Sequence, residues 1–437
     1  MADLEKIVSW AKRRGFVMPG SELYGGVSGI YDFGPYGAAL KNNLKKLWWK
    51  RFVEERDDIV GIESAILMNR QVWQASGHEK DFIDKLVECR KCHQRFKADD
   101  LPKEKCPSGG EHEFTAAKQF NPMFRTHIGV VEDETSITYL RPETAQGMFV
   151  DFKQILETSR QKIPFGIAQI GKSFRNEINT KDFLFRVREF EIAEIEYFVK
   201  KGDDEKSFDQ WLKDWEEFVL STGIKKENIR QYEHKKDDLS HYSKKTVDIH
   251  YHYPFGWKEL TGLANRTDFD LKAHQDKSGK DLSYFDEEVG KKYIPYVIEP
   301  TLGIERLMLA VICDAFEETK PRTKTTEATS EKEIILHLDP KLAPVKIAIL
   351  PLVRKLSNKA QEIYQDLKTC WGEIEFDESG SIGRRYRRQD EIGTPYCITV
   401  DFDTIKDQKV TVRDRDSMKQ DRIEIKELKN YLFGKLM

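Results

Sequence analysis

Residues 171–198, GKSFRNEINTKDFLFRVREFEIAEIEYF, read as two β-strands flanking a polar loop. In the first strand Gln169, Gly171, Ser173, Arg175 and Glu177 share parity. Alternation then places an arginine and a carboxylate on one face beside a space-opening glycine, with Ala168, Ile170 and Phe174 behind. In the second, Arg186, Arg188, Phe190, Ile192, Glu194 and Glu196 share a face, and Val187, Ala193, Ile195, Tyr197 and Val199 dominate the other. One sheet face is expected to carry chemistry and the other to pack. A guanidinium clamps phosphate or carboxylate bidentately and Phe190 offers a ring for stacking on a base, so the pattern describes a nucleotide seat without a P-loop. It equally describes an amphipathic hairpin whose arginines and glutamates pair across strands in solvent.

The chain has 437 residues, more than one core normally organises, and two or three domains are expected. Charged residues make up 34% of it, yet the net charge is only −3, so any nucleic-acid surface must be a local patch. No run of about 18 apolar residues occurs, and the N-terminal MADLEKIVSWAKRRGF lacks a signal peptide's apolar core. No membrane partner and a cytoplasmic location are therefore expected. Six cysteines are too few for a disulfide scaffold. Three of them, Cys89, Cys92 and Cys106, follow a Cys-x2-Cys…Cys-Pro zinc-ribbon spacing that needs a fourth ligand, from His112 or His93. The alternative is a degenerate knuckle of reduced thiols.

Around the hairpin, Met1 to Arg14 reads as an amphipathic helix with Leu4, Ile7, Val8 and Ala11 on one stripe, ended by the glycine-rich run 25–37. Leu40, Leu44, Leu47 and Trp48 recur at helical spacing, as do Phe208, Trp211, Leu212, Trp215 and Phe218. A Cys-containing insertion at about 80–118 and a variable helical one at about 200–245, charge-rich and uninformative beyond Lys225, interrupt a catalytic domain expected over 1–333. Glu317 to Lys332 reads as a linker before a strand at Ile334 to Leu338. From 340 to 437, strand-like runs alternate with helical stretches, predicting a small α/β domain. Within it RRYRR, Arg384 to Arg388, suits either phosphate and base contacts or a solvated charged loop. Gly303-Ile304-Glu305-Arg306 joins the extended segment Tyr296 to Leu302 to an apolar helix, with Arg306 at its start.

FRNE followed by RxREF resembles motif 2 of the class II aminoacyl-tRNA synthetases, in the wording of their glycyl branch. Five further blocks resemble the same family in the same order: YDFGPYGAALKNNLKKLWW (31–49), RPETAQG (141–147), GWKELTGLANRTDFDL (256–271), EPTLGIERL (299–307) and SIGRRYRRQDEIGTPYCITVDFD (381–403). The likeness spans nearly the whole chain. It implies an α+β fold: a class II catalytic domain with an antiparallel sheet flanked by helices, plus a C-terminal anticodon-binding domain. It also implies a homodimer formed mostly through the 31–49 helix, although a core helix fits the periodicity equally well.

The reaction it implies joins glycine to tRNA(Gly) through a glycyl-adenylate made from ATP with Mg2+. Neither step demands a protein nucleophile, so positioning and phosphate-charge stabilisation are expected to carry the rate. By resemblance Arg175, Arg306 and Glu299 are the catalytic set. Arg175 bridges the substrate carboxylate and α-phosphate, Glu177 accepts from the adenine amino group, and Phe190 stacks on adenine. The ATP site spans Arg175, Asn176 and Glu177, then Phe185, Arg186, Val187, Arg188, Glu189 and Phe190, then Glu259 with Leu260, and Gly303, Ile304, Glu305 and Arg306. Glu259 is the expected magnesium ligand.

The implied glycine site draws on Lys97, Glu143, Phe190, Glu191, Ile192, Ala193, Glu194, Glu299, Pro300, Thr301, Leu302 and Gly303. Its carboxylates fix an ammonium while walls exclude a methyl group, so no editing domain is required. Two positions depart from the family: Thr301 replaces the usual serine, and Lys97 replaces an arginine and loses the bidentate fork. Gly109 stands where relatives carry a fourth cysteine, which opens the question of structural Zn2+ held by Cys89, Cys92, Cys106 and His112. The contrasting reading is a synthetase-like RNA-binding paralogue that activates no amino acid.

Overall fold

The computed structural model describes residues 3–102, 104–239, 243–322 and 332–436. Seven strands build the main sheet: β1 (Ile59–Gly61), β2 (Phe165–Phe174), β3 (Glu189–Val199), β4 (Ile229–Glu233), β5 (Lys245–Tyr253), β6 (Gly256–Thr267) and β7 (Tyr296–Gly303). Their order is β4-β5-β6-β7-β3-β2-β1, antiparallel except for β1 against β2. The alternation on β3 decides what each face does. Ala193, Ile195, Tyr197 and Val199 enter the main core, while Phe198 packs on the other side with Phe149 and Phe152.

The helices that matter are α1 (Leu4–Arg13), α2 (Pro35–Trp49), α3 (Ala145–Ser159), α4 (Asp204–Ser221), α5 (Phe269–Ser278) and α6 (Ile304–Ala315). Leu40, Leu44 and Trp48 of α2, Phe208, Trp211, Trp215 and Phe218 of α4, and most of α6 fill the first face. Helices α3 and α5 cover only part of the second face. The remainder stays open, and the cleft lies there.

Three expectations about elements change. Strand β2 ends at Phe174 and β3 begins at Glu189, so Arg175, Glu177, Arg186 and Arg188 sit on the connecting loop. Phe183, Leu184 and Phe185 of that loop still enter the main core, and its polar groups find partners outside the sheet ladder. Arg175 N–H donates to the Arg188 carbonyl at 2.9 Å, and Asn176 N–H to the Pro122 carbonyl at 2.7 Å. The stretch 200–245 gives α4 to the main core and β4 to the sheet edge. The start of the expected linker is a strand, Phe316–Thr319, paired with Glu333–Leu336; residues 323–331 of that linker lie outside the described residues.

The C-terminal sheet contains β8 (Ile347–Pro351), β9 (Ile374–Phe376), β10 (Tyr396–Val400), β11 (Lys409–Asp414) and β12 (Gln420–Glu424), ordered β9-β8-β10-β11-β12. Helices α7 (Ser357–Lys368), α8 (Ile382–Ile392) and α9 (Leu428–Leu436) pack on it. RRYRR lies on α8 and is neither a loop nor a free basic patch. Buried Arg385 donates to the Gly380 carbonyl at 3.0 Å and to that of Pro351, Arg387 pairs with Glu333 at 2.8 Å, and Arg388 pairs with Asp377 at 2.5 Å. The Tyr386 hydroxyl bonds that of Thr399. Among the described residues Arg384 alone of the four stays exposed without an ion-pair partner.

Candidate active site

The cleft, of about 170 Å³, lies between the 175–190 loop, β6 and the β7–α6 junction. Arg175 reaches it from the loop: its Nε donates to the Pro142 carbonyl at 3.1 Å, and its guanidinium carbon lies 5.6 Å from the Phe190 ring centroid. Opposite, the first turn of α6 presents Arg306, which pairs with Glu259 at 2.9 Å, donates to the Phe185 carbonyl at 3.2 Å and stacks over the Phe185 ring at 4.6 Å. Two guanidinium groups and two rings thus face the slot, with Glu177, Arg186, Val187 and Leu260 on its walls, a set suited to stacking on a planar base.

Several expected ATP residues do not line this slot. Arg188 donates to the carbonyls of Ser28 and Glu177, Glu189 pairs with Lys172 at 2.5 Å, and Ile304 is buried in the main core. Glu305 does contribute to the wall, but its carboxylate is spent on Lys41 at 2.5 Å and on the Glu191 N–H at 2.9 Å. Glu191 itself turns to α2, pairing with Lys41 at 2.7 Å and Lys45 at 3.1 Å. Odd-numbered side chains of β3, Glu191 and Ala193 among them, face away from the cleft, so only backbone there is left for a ligand.

Beyond Phe190 the same face of β3 carries Ile192, Glu194 and Glu196, and register places Glu194 opposite Thr301 on β7. Here the carboxyl groups converge. Glu194 accepts from the Thr144 N–H at 3.1 Å, from the Thr144 hydroxyl, and from the Thr301 hydroxyl at 3.1 Å. Glu299 pairs with Arg266 at 2.6 Å, and the same guanidinium forks onto Asp270 with two 2.8 Å bonds. Glu143 meets the His78 Nε2 at 3.2 Å and accepts from Gln146 at 2.9 Å. Burial pushes the carboxyls of Glu194 and Glu299 above their usual range, each further raised by Glu143 and opposed by Arg266. Burial also raises Glu143, but His78 and Arg266 outweigh it and hold this carboxylate well below the ordinary range.

Lys97 is placed elsewhere. It sits on the small sheet 84–88, 95–97 and 118–120, where it pairs with Asp84 at 2.8 Å. On that unit Cys89, Cys92, Cys106 and His112 bring one donor atom each within 4.8 Å of the others. Cys89 and Cys106 Sγ lie 3.8 Å apart, the edge of a tetrahedron built on zinc–sulfur bonds of about 2.3 Å. His93 turns outward to Glu88 with φ of 58°.

Arg266, Asp270, Gln146, His78 and Arg141 complete the site but were not singled out from the sequence. For the first two a signal existed in the arginine and aspartate four apart in RTDFD, which a helix start brings together. Gly171 leaves the room that Arg141 uses: a Cβ there would lie 2.3 Å from Arg141 Nη2. Arg141 in turn holds the Lys172 carbonyl at 2.7 Å and that of Ser64 at 2.8 Å.

Comparison with known proteins agrees along the chain. Residues 127–315 match the tRNA synthetase class II core domain (G, H, P, S and T), and residues 346–434 match the anticodon binding domain. Glycine–tRNA ligase of Caldanaerobacter subterraneus subsp. tengcongensis is 51% identical over 99% of this chain and 98% of that one. The ligase of the same name from Thermobifida fusca is 50% identical over the same shares, and that of Geobacillus kaustophilus is 49% identical over 99% of each chain.

Proposed function

The chain belongs to the glycine–tRNA ligase family of class II aminoacyl-tRNA synthetases, an ATP-dependent ligase family, and from that premise we propose how its residues divide the work. ATP lies in the slot between Arg175, Phe190 and Arg306 with its base stacked on Phe190. Glycine lies deeper, with its ammonium among Glu143, Glu194 and Glu299 and its carboxylate toward Arg175. The carboxylate oxygen attacks the α-phosphorus, pyrophosphate leaves toward Arg306, and a terminal ribose hydroxyl of tRNA(Gly) then attacks the glycyl carbonyl and releases AMP. Arg175 and Arg306 act by orienting and by stabilising charge on phosphate oxygens. The Thr301 methyl, and the Glu194 carboxylate that accepts from the Thr301 hydroxyl, close the space where a larger side chain would extend.

The observation that supports this reading is the continuity of one sheet face: a slot with two guanidinium groups lies beside the buried carboxyls of Glu194 and Glu299, and Thr301, which lines the slot, hydrogen-bonds Glu194. Glu259, part-exposed on the cleft wall, offers the hard oxygen donor that Mg2+ prefers. When bound, that ion supplies charge neutralisation on the phosphates. The Cys3His donor set suits structural zinc. We also infer a homodimer through α2 and the neighbouring turn 22–24, where Leu23 and Tyr24 remain 87% and 88% exposed. Among the described residues no helix is long and apolar enough to cross a membrane, and a cytoplasmic reaction follows from the tRNA substrate.

Pyrophosphate exchange into ATP with glycine, alanine and serine tests the reading. Glycine-only exchange that Arg175→Ala abolishes is the expected result. No exchange with any amino acid from folded protein would favour an RNA-binding paralogue.

A further inference from the structure

Glu196 is fully buried, and among the described residues neither of its carboxyl oxygens has a hydrogen-bond partner. It lies two residues beyond Glu194 on the same face of β3, and one oxygen each from Glu194, Glu196 and Glu299 lie within 4.8 Å of one another. The charged groups around it are few and mostly of one sign. Its own strand brings Glu194, β7 brings Glu299, α5 brings Asp270, and the turn before α3 brings Glu143; β6 brings the guanidinium of Arg266. His78 faces Glu143, and His274 of α5 is occupied by Gln146 at 2.8 Å. Arg266 serves Asp270 and Glu299. An ionised Glu196 here would be a carboxylate out of water, without a donor and beside two others. A protonated one has an O–H to give, and Glu194 and Glu299 each hold an oxygen within 4.8 Å of one of its own.

We propose that Glu196 is a positioning residue of the amino-acid site, a neutral carboxyl whose proton is held between it and Glu299. It fixes the Glu299 carboxylate toward the substrate ammonium without adding a charge of its own. Glu196 touches no substrate and acts through Glu299, so the inference rests on the reading of Glu299 as an ammonium ligand. The proton also sets the charge of the pocket. A neutral Glu196 adds nothing to the negative charge of Glu143, Glu194, Glu299 and Asp270, against which the pocket sets the single guanidinium of Arg266. Two carboxyl groups sharing one buried site titrate far apart, and burial, followed by Glu299, pushes the Glu196 carboxyl well above its ordinary range.

The test compares Glu196→Gln with Glu196→Met by glycine-dependent pyrophosphate exchange. Glutamine keeps the shape and a donor without a titratable proton, whereas methionine keeps the volume and removes the donor. Glu196→Gln is expected to hold the glycine KM within about threefold of wild type and to flatten the alkaline limb of its pH profile. Both proteins are read at each pH, so ionisation of free glycine cancels. Glu196→Met is expected to raise the glycine KM roughly tenfold, the scale of one lost hydrogen bond to a charged group, with the ATP KM unchanged. An infrared carbonyl band of a protonated carboxylic acid, present in wild type at neutral pH and missing from Glu196→Gln, is the direct signature.

Loss of glycine binding in Glu196→Gln equal to that in Glu196→Met, in protein with an unchanged circular dichroism spectrum, would overturn the proposal. An ionised ligand, for instance to a divalent cation, would then be required. Absence of the infrared band would overturn it as well. Glu299→Gln separates the two levels: if it leaves the glycine KM unaltered, the ammonium reading fails, whatever Glu196 does.

Discussion

Arg266 and Glu299 meet at 2.6 Å with both side chains almost wholly buried, and this pair holds the acidic pocket together. The same guanidinium neutralises Asp270, so one cation keeps two buried carboxylates in place. Arg266→Met would leave both uncompensated, and breaking such a buried network costs roughly 3–5 kcal/mol. A fall of several degrees or more in Tm and loss of glycine-dependent exchange are expected. An unchanged melting curve would mean that the carboxylates are protonated and do not need the cation.

Gly171 is predicted to tolerate no side chain, for a reason local to Arg141. The Cβ of alanine would lie 2.3 Å from Arg141 Nη2 and 3.0 Å from Gln169 Nε2. Arg141 spans the carbonyls of Lys172 and Ser64, so displacing it loosens the end of β2 from which Arg175 projects. Gly171→Ala should cost about 1–3 kcal/mol of stability and lower kcat for exchange more than the ATP KM. Thermal melts and steady-state exchange on the purified variant check both.

The junction between the two domains should be pH-dependent through His337. Its Nδ1 meets Asp416 at 2.6 Å and its Nε2 meets Glu317 at 2.7 Å. The hydrogen bond to Asp416 raises the imidazole above its ordinary value, burial opposes this, and Glu317 adds to the rise. A raised histidine contributes stability that is complete below the unfolded value near 6.5 and is lost as pH climbs through the higher folded value. Wild type should therefore lose stability from about pH 6.5 upward, and His337→Gln should show a shallower slope in that window. Parallel slopes in urea melts from pH 5.5 to 9 would contradict this.

The chemistry-bearing face was legible because strand alternation is a local rule: Phe190, Glu194 and Glu196 share parity and lie on one face as expected. Alternation has no term for where a strand starts or stops, so it carries Arg175 and Arg188 into strands although β2 ends just before the one and β3 begins just after the other. Composition was least informative where a charge has a distant partner. Arg387 is matched by Glu333, and Arg385 by the carbonyl of Pro351. A run of arginines looks alike whether those partners exist or not. Arg266, His78 and Asp270 come together only when β6, α5 and the 78–81 turn are folded. Of their meeting, the sequence carried no more than an arginine–aspartate spacing of four.

The small Cys-containing sheet touches the nucleotide loop, which gives zinc a readable consequence. Asp100, just past its second strand, accepts from Lys181 at 2.6 Å and pairs with Arg186 at 3.2 Å. Lys181 and Arg186 belong to the loop that carries the ATP residues, and Arg186 lines the cleft. The unit buries few apolar side chains besides Val87 and Phe96, too few to fix its shape without a metal. Purified protein should hold about one zinc per chain, and Cys92→Ser should lose most of it. With the ion gone, residues 84–120 should become sensitive to limited proteolysis and the Asp100 bridge should slacken. The ATP KM should then rise several-fold, and by more than the glycine KM, because the Asp100 bridge reaches the nucleotide loop directly. Wild-type protein with no zinc and the same proteolytic pattern as Cys92→Ser would show that the thiols pack without a metal.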